Sequence, residues 1–467
     1  MTVVLRLRDM IFLQKGGWSR RAVHIIITLA LRLFFRRIEA NGTERVPLSG
    51  GLIFVLNHPN GLIDPGMVFV AMPRRVSFLA KSTLFDLPVI GSLMRTIEAL
   101  PLYRRVDEAE DPAIAAALNQ RTFAACHALL REGRCIAVFP EGVSHNATQL
   151  LPVKTGAARI ALGALSVKRE DSFSLKIVPV GLYYTSKTSF RSEALLRFGE
   201  PFEVLPVELD RDGQPPREAV HELSDKIAEK LREVTLNVED DEALETVKLT
   251  EQLFSSVYET INFRQTLSDE LDLRRNLARK LENYNTVEPE KAEDLKSRIA
   301  EYEKSLRELN ITSEHLSVSR YSLWYVFRHF LLRLGIIIAL SPVVIIGTLL
   351  HLPAYLLCIL LARIFRRHGV DESGGTIKIL AAILLMPLTW IAISLVVFFF
   401  WNWQAALFAF PLVIIFGYTA LRSLEEMIDM RGWYKAAFVL ARNPKMFIKL
   451  LRMRRLLHRE IASFGNA

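Results

Sequence analysis

From Ile379 to Trp401 this chain runs for 23 residues without a formal charge. At a rise of about 1.5 Å per residue, a helix of that length crosses the ~30 Å hydrocarbon core of a bilayer. Hydrocarbon offers no hydrogen bonds, so such a run must satisfy its backbone internally, and a helix does so. A second apolar stretch, Gln404 to Leu421, follows Trp401-Asn402-Trp403, an aromatic turn suited to a membrane–water interface. Leu334 to Leu350 and Leu352 to Phe365 are shorter and are interrupted by Pro342, His351 and Pro353. They read as short tilted spans, a re-entrant hairpin or interfacial helices. An even number of crossings would leave the preceding residues and the basic tail, Arg431 to Arg459, on one face. Arg366, Arg367 and that tail mark this face as cytoplasmic.

The 51% hydrophobic content is concentrated in residues 323 to 422, so the remainder is free to be an ordinary water-facing domain. A net charge of +9 in a chain with such segments suits anionic lipid headgroups. Nucleic acid is excluded as a partner, because no arginine stripe with interleaved aromatics and no recognisable binding module is present. Cys126, Cys135 and Cys358 sit in apolar surroundings without paired spacing, which implies packing roles and no disulfide or zinc framework.

Residues 1–45 read as amphipathic interfacial helices, with Ala22 to Leu31 flanked by Arg20, Arg21, Arg32, Arg36 and Arg37. Residues 46–237 alternate strands at Leu52–Leu56, Val76–Leu79, Ile136–Phe139, Ile177–Leu182 and Leu195–Phe198 with helical stretches at Pro112–Arg131 and Lys154–Val167. That alternation predicts an α/β domain, a mixed sheet flanked by helices, closed by a helix from Pro215 to Leu236. Residues 238–320 are highly charged and predict a solvated helical hairpin, Thr266–Glu282 and Pro289–Leu309, broken near Asn283-Tyr284-Asn285. Residues 321–425 are the membrane-embedded helices and 426–467 a basic amphipathic tail.

Two turns carry the chemistry. Asn57-His58-Pro59-Asn60-Gly61-Leu62-Ile63-Asp64 leaves the buried strand ending at Leu56, and Pro59, Asn60 and Gly61 force the chain back. His58 is thus held on a stiff edge with Asp64 folded towards it, the arrangement of a general base whose tautomer a carboxylate sets. Phe139-Pro140-Glu141-Gly142 ends a second apolar run and places Glu141 and a free Gly142 amide at the same edge, as an anion-binding loop.

These residues resemble the glycerophosphate and lysophospholipid acyltransferases, whose four sequence blocks match in order across residues 50 to 182. The blocks are Asn57 to Asp64, Ala99-Leu100-Pro101-Leu102-Tyr103-Arg104 with Arg105 adjacent, Phe139 to Gly142, and Ile177-Val178-Pro179-Val180-Gly181-Leu182. Five residues between His58 and Asp64 is the longer spacing, similar to the glycerol-3-phosphate and dihydroxyacetone-phosphate branch. Two departures stand out. Val143-Ser144-His145 replaces the usual Thr-Arg-Ser, so a phosphate-holding arginine is missing, and Glu98 stands at a position that is usually glycine.

The resemblance implies a membrane-bound enzyme that moves a fatty acyl group from acyl-CoA, or an acyl-carrier-protein thioester, to glycerol-3-phosphate or dihydroxyacetone phosphate. It assigns His58 as base and Asp64 as its orienting partner. Arg104 and Arg105 would hold the acceptor phosphate, with Lys81, Lys154 and Asn60 as further binding residues. Glu141 and Gly142 would shape the acceptor site, and amides of the turn after His58 would face the developing oxyanion. No metal or cofactor is expected. Acylation of a lysophospholipid such as lysophosphatidate is the alternative reaction. A non-catalytic membrane scaffold is the alternative class, and it predicts loss of the His or Asp that this chain keeps.

Overall fold

A computed structural model of the chain describes residues 2–5, 17–103, 112–166, 173–211, 213–258, 266–313, 316, 323–365 and 373–463. Arg104, Arg105, Arg366 and Arg367 lie outside the described residues. The chain divides into two units, residues 1–237 with 362–379, and residues 238–361 with 380–467.

The first unit is built on one mixed sheet. Its strands are β1 (Thr2–Val4), β2 (Phe35–Asn41), β3 (Gly51–Leu56), β4 (Val76–Lys81), β5 (Leu100–Leu102), β6 (Cys135–Val138), β7 (Leu175–Tyr184), β8 (Ser192–Phe198) and β9 (Phe202–Glu203). They lie in the order β1-β2-β8-β7-β3-β6-β4-β5, with β9 beside β7. The central β3 pairs in parallel with β6 on one side and β7 on the other. A strand covered on both faces must be apolar throughout, which is why Gly-Leu-Ile-Phe-Val-Leu shows no alternation and every residue of β3 is buried.

Helices cover both faces: α1 (Trp18–Phe34), α2 (Ile63–Ala71), α3 (Pro88–Thr96), α4 (Pro112–Arg131), α5 (Gly156–Ser166) and α6 (Arg217–Arg232). On one face Ile53, Val55 and Ile136 pack with Cys126 and Leu130 of α4, Ile160 and Ala161 of α5, and Ile227 of α6. Burial holds the Cys126 and Cys135 thiols up at about 12 and about 11, so neither is an accessible thiolate nucleophile.

The amino-terminal region differs from expectation in one respect. The chain leaves α1 at Phe34 and continues directly as β2, which pairs in parallel with β8. Arg36 and Arg37 therefore belong to a strand and not to a helix flank. They sit on the sheet and ion-pair with Glu193 at 3.0 Å each.

The second unit contains α7 (Asp241–Tyr258), α8 (Leu267–Val287), α9 (Pro289–Glu308), α10 (Leu323–Ile364), α11 (Ser373–Phe400), α12 (Trp403–Arg442) and α13 (Pro444–Ser463), with the two ends of the α10–α11 connection assigned to the first unit. The hairpin α8–α9 exists, but its break lies at Glu288, and Asn283 to Asn285 are helical. Nor is it a solvated spacer. Leu271, Leu277, Leu295, Ile299 and Tyr302 are buried, and α7 and α13 pack against the pair. Arg454 of the basic tail is buried and clips α13 in place by donating to the Leu253 and Ser313 carbonyls at 2.9–3.3 Å.

Three helices among the described residues are long and apolar enough to cross a membrane: Leu331–Ile364, Ile377–Phe400 and Trp403–Met427. The first runs unbroken through Pro342, His351 and Pro353, where two short elements were expected. Almost none of the middle span is buried, and Phe399, Phe400 and Trp401 are more than 70% exposed, which excludes a buried soluble core. Asn402 caps the next helix through the Ala405 N–H at 2.8 Å, forming the turn between the two tryptophans.

Candidate active site

Because β7, β3, β6 and β4 run parallel, their carboxyl ends open on one edge, where open α/β sheets bind ligands. His58 follows β3, Glu141 follows β6, Lys187 follows β7, and Lys81 ends β4.

The turn at His58 is fixed residue by residue. The Asn57 side chain bonds both the N–H and the C=O of Leu182, at 2.7 and 3.0 Å, and so extends the β3–β7 ladder by one step. Gly61, at φ +38°, then reverses the chain into α2. Asp64 sits in the first turn of α2 and is fully buried. Its Oδ2 accepts from His58 Nδ1 at 2.8 Å and from the Asn60 N–H at 2.7 Å. Its Oδ1 accepts from the Tyr184 hydroxyl at 2.6 Å. An ionised carboxylate only accepts, so His58 carries its proton on Nδ1 and presents Nε2 as a base. The imidazole stacks on Phe139, centroids 4.3 Å apart, and keeps 17% of its side chain exposed, enough for a substrate to reach it.

Tyr184 was not evident from the sequence, since it lies 120 residues from the carboxylate it holds. Burial and the Asp64 charge push its phenol well above the usual range, so it remains a donor. A strand continuing past block four was the available signal.

Glu141 is turned inward. It is 2% exposed, its Oε1 accepts from the His58 N–H at 2.8 Å, and its Oε2 accepts from the Leu151 N–H at 2.8 Å and meets His145 Nε2. Gly142 takes φ +73°, and its N–H donates to the Phe139 carbonyl at 3.0 Å. That amide closes the turn and is not offered to an anion, contrary to expectation. The amides of Asn60, Ile63 and Asp64 are likewise engaged within their own turn.

Lys154 is exposed and lies across Gly142, where an added Cβ would come 2.6 Å from Nζ. Glycine at 142 is required by its φ, since the exposed lysine could swing aside from an added Cβ. Asn60 is fully buried and donates to the Lys187 carbonyl at 3.1 Å, so it forms the wall of the turn. Lys187, which sequence reasoning missed, brings Nζ to the His145 carbonyl at 3.2 Å and Asn146 Oδ1 at 3.1 Å. Lys81 is half-buried at the end of β4.

Glu98 explains its own departure from glycine. It adopts φ +61°, the left-handed region that glycine fills at no cost. Arg75 and Arg134 pair with its two oxygens, and the buried Arg20 lies 3.7 Å away. Three cations offset a backbone cost of ~1–3 kcal/mol. Among the described residues no group of three or more His, Cys, Asp or Glu side chains is placed to hold a metal.

The acyltransferase family matches residues 37–183, and the glycerol-3-phosphate acyltransferase 2 C-terminal domain matches residues 250–467. Glycerol-3-phosphate O-acyltransferase 1 of Saccharomyces cerevisiae is 29% identical over 390 residues, 65% of this chain and 50% of that protein. Glycerol-3-phosphate O-acyltransferase 2 of the same yeast is 27% identical over 290 residues, 59% of this chain and 38% of that protein. An uncharacterized acyltransferase of Schizosaccharomyces pombe is 23% identical over 436 residues, 76% of this chain and 62% of that protein. The chain thus spans half the length or less of the two Saccharomyces proteins.

Proposed function

We propose that this chain, which belongs to the glycerophosphate acyltransferases through its domain at residues 37–183 and its C-terminal domain at 250–467, acylates a hydroxyl of glycerol-3-phosphate. Dihydroxyacetone phosphate is the second acceptor that fits the same reading. The observation that carries the proposal is the Tyr184–Asp64–His58 relay, which leaves one imidazole nitrogen basic and reachable at the carboxyl edge of the sheet.

The chemistry follows from that geometry. His58 Nε2 removes the acceptor hydroxyl proton as the oxygen attacks the thioester carbonyl carbon, and Asp64 stabilises the imidazolium. A positioned base of this kind is worth about 10²- to 10⁴-fold. The tetrahedral intermediate then expels the thiolate of CoA or of a carrier protein, which takes the proton from His58, and the ester is released. The donor is already activated, so no acyl-enzyme is required.

With arginine absent at residue 144, Lys154 and Lys187 are the cations that flank the 141–146 turn and would meet the acceptor phosphate. Arg104 and Arg105 keep that role as a proposal from the sequence blocks, and Lys81 stands at the same edge. The three apolar helices suit a bilayer, where the product belongs. Three crossings, unlike the even number expected, would put the catalytic domain and the basic tail on opposite faces, so the tail does not support a cytoplasmic catalytic face.

Acyl transfer by the purified, detergent-solubilised protein tests the reading, with labelled acyl-CoA and with glycerol-3-phosphate, dihydroxyacetone phosphate and lysophosphatidate in parallel. Label should enter the soluble acceptors, and His58→Ala should abolish at least ~10²-fold of the rate. Incorporation into lysophosphatidate alone would place the enzyme one acylation later. Transfer to none of the three would defeat the proposal.

A further inference from the structure

The turn that replaces Thr-Arg-Ser carries a second histidine. His145 Nδ1 accepts from the Ala147 N–H at 3.1 Å, so its proton resides on Nε2, which faces Glu141 Oε2. The pair repeats in miniature the His58–Asp64 arrangement, but its imidazole has no nitrogen left to act as a base. Its effect is elsewhere. Glu141 accepts from the His58 N–H at 2.8 Å, and the His145 N–H donates to the His58 carbonyl at 3.2 Å. Both backbone polar groups of His58 are therefore gripped by one five-residue turn, Glu141 to His145.

We infer that His145 is a positioning residue: with Glu141, whose side chain is closed off from any acceptor, it forms a second histidine–carboxylate pair that locks the backbone of the base. The inference rests on the proposed acyl-transfer reading for its kinetic test, though not for its structural one. Three observations carry it. Glu141 has a side chain with no exposed surface, so it does not reach a soluble acceptor. Its oxygens are already met by two backbone donors and one imidazole. And the turn bonds His58 through main-chain atoms, so moving the turn moves the base. The loss of the family's arginine at this turn is thereby compensated by a different use of the same residues: the 143–145 segment braces the base, and phosphate recognition passes to the neighbouring lysines.

Displacing a catalytic group by about 1 Å costs up to roughly 10²-fold in rate. His145→Ala should lower kcat by about 10- to 10²-fold while the KM for the acceptor stays within about twofold. His145→Gln, whose side-chain amide can still donate to Glu141, should recover most of kcat. Hydrogen exchange followed by mass spectrometry supplies a readout that needs no substrate. In His145→Ala, exchange at the His58 amide should accelerate at least tenfold, because its acceptor Glu141 has lost a tether. The Asn60 amide, held by Asp64, should be unaffected.

A raised acceptor KM at constant kcat would make His145 a binding contact and overturn the inference. So would unchanged exchange at His58, or a Gln variant no better than Ala. If the wild-type protein transfers to no acceptor, the functional reading falls by itself, and the exchange comparison still decides whether His145 holds the base. If the His145→Ala protein fails to fold, His145→Leu, which keeps side-chain volume and removes the donor to Glu141, takes its place. There kcat should fall and exchange at the His58 amide should accelerate as for Ala, and unchanged exchange would overturn the inference.

Discussion

Two adjacent helices of the first unit bury polar side chains under opposite rules. In α2, Asp64 is fully buried and receives three hydrogen bonds, from His58, Asn60 and Tyr184. In α1, which packs on α2, the buried face carries Arg20, His24 and Thr28 at intervals of four, while Ile25, Ile26 and Leu29 point outward. The two terminal nitrogens of Arg20 donate to the Ile97 and Val76 carbonyls, at 2.7 and 3.3 Å, while its Nε finds no partner among the described residues. Neither ring nitrogen of His24 makes a hydrogen bond of ordinary geometry, and the Val70 carbonyl is the polar group it faces. The first arrangement keeps a charge where water cannot reach; the second keeps a titratable ring neutral. Burial alone therefore does not mark a functional group, whereas the number of converging donors does.

The largest effect comes from breaking the first arrangement. Asp64→Asn replaces an acceptor that faces three donors with an amide whose NH₂ must oppose one of them. The proton of His58 is then no longer held on Nδ1, and the base is lost by tautomer. Activity should fall by about 10⁴-fold, comparable to the loss seen when a histidine's orienting carboxylate becomes an amide. The thermal midpoint, read by circular dichroism, should move far less than in a core truncation. Activity within tenfold of wild type would mean that Asp64 is merely structural, and the contrast between the two helices would fail.

Tyr184→Phe sharpens the same contrast more gently. Asp64 keeps two donors, and the hydrogen bond removed, one to a charged acceptor, is worth about 1.5–3 kcal/mol. The expected result is a fall in kcat of about tenfold with unchanged KM for the thioester, since 1.4 kcal/mol is a factor of ten. An unaltered kcat would show that two donors suffice.

What the sequence revealed and what it hid divide along the same line. The apolar runs at β3, β6 and β7 were legible because strands covered on both faces must be apolar throughout, and the helix over Pro112–Arg131 appears with those same bounds. His58, Asp64 and Glu141 were legible because turn residues follow those runs directly. Tyr184 and His145 were not, because their meaning depends on which strands become neighbours. Strand β2 was hidden for a related reason. Phe-Arg-Arg-Ile-Glu-Ala-Asn reads as a charged helix flank until Glu193, more than 150 residues later, supplies the partner for its arginines. The prolines of α10 misled for another reason: a proline costs one backbone bond, and a long apolar helix among neighbours tolerates that loss.

The smallest effect tests the second arrangement directly. Desolvation lowers the His24 pKa to about 4, and the Arg20 guanidinium one turn away adds to that direction. In the unfolded chain the same ring titrates near 6.5. Between those values the unfolded state binds the proton and the folded state does not, so stability rises with pH across the window. The contribution of a neutral His24 is complete above about 6.5 and is lost progressively as pH falls towards about 4. The slope approaches 1.4 kcal/mol per pH unit within the window. His24→Leu removes the titration and fills the site with an apolar chain beside Phe69, whose ring lies 5.4 Å from the imidazole. Denaturant unfolding of both proteins at pH 7 and pH 5 measures the difference. The variant should lose less stability than wild type on acidification, by about 1–2 kcal/mol, and kcat at neutral pH should stay within a factor of about two. Parallel acid profiles would mean that His24 reaches a partner on folding after all, and the two helices would then bury their polar groups by one rule.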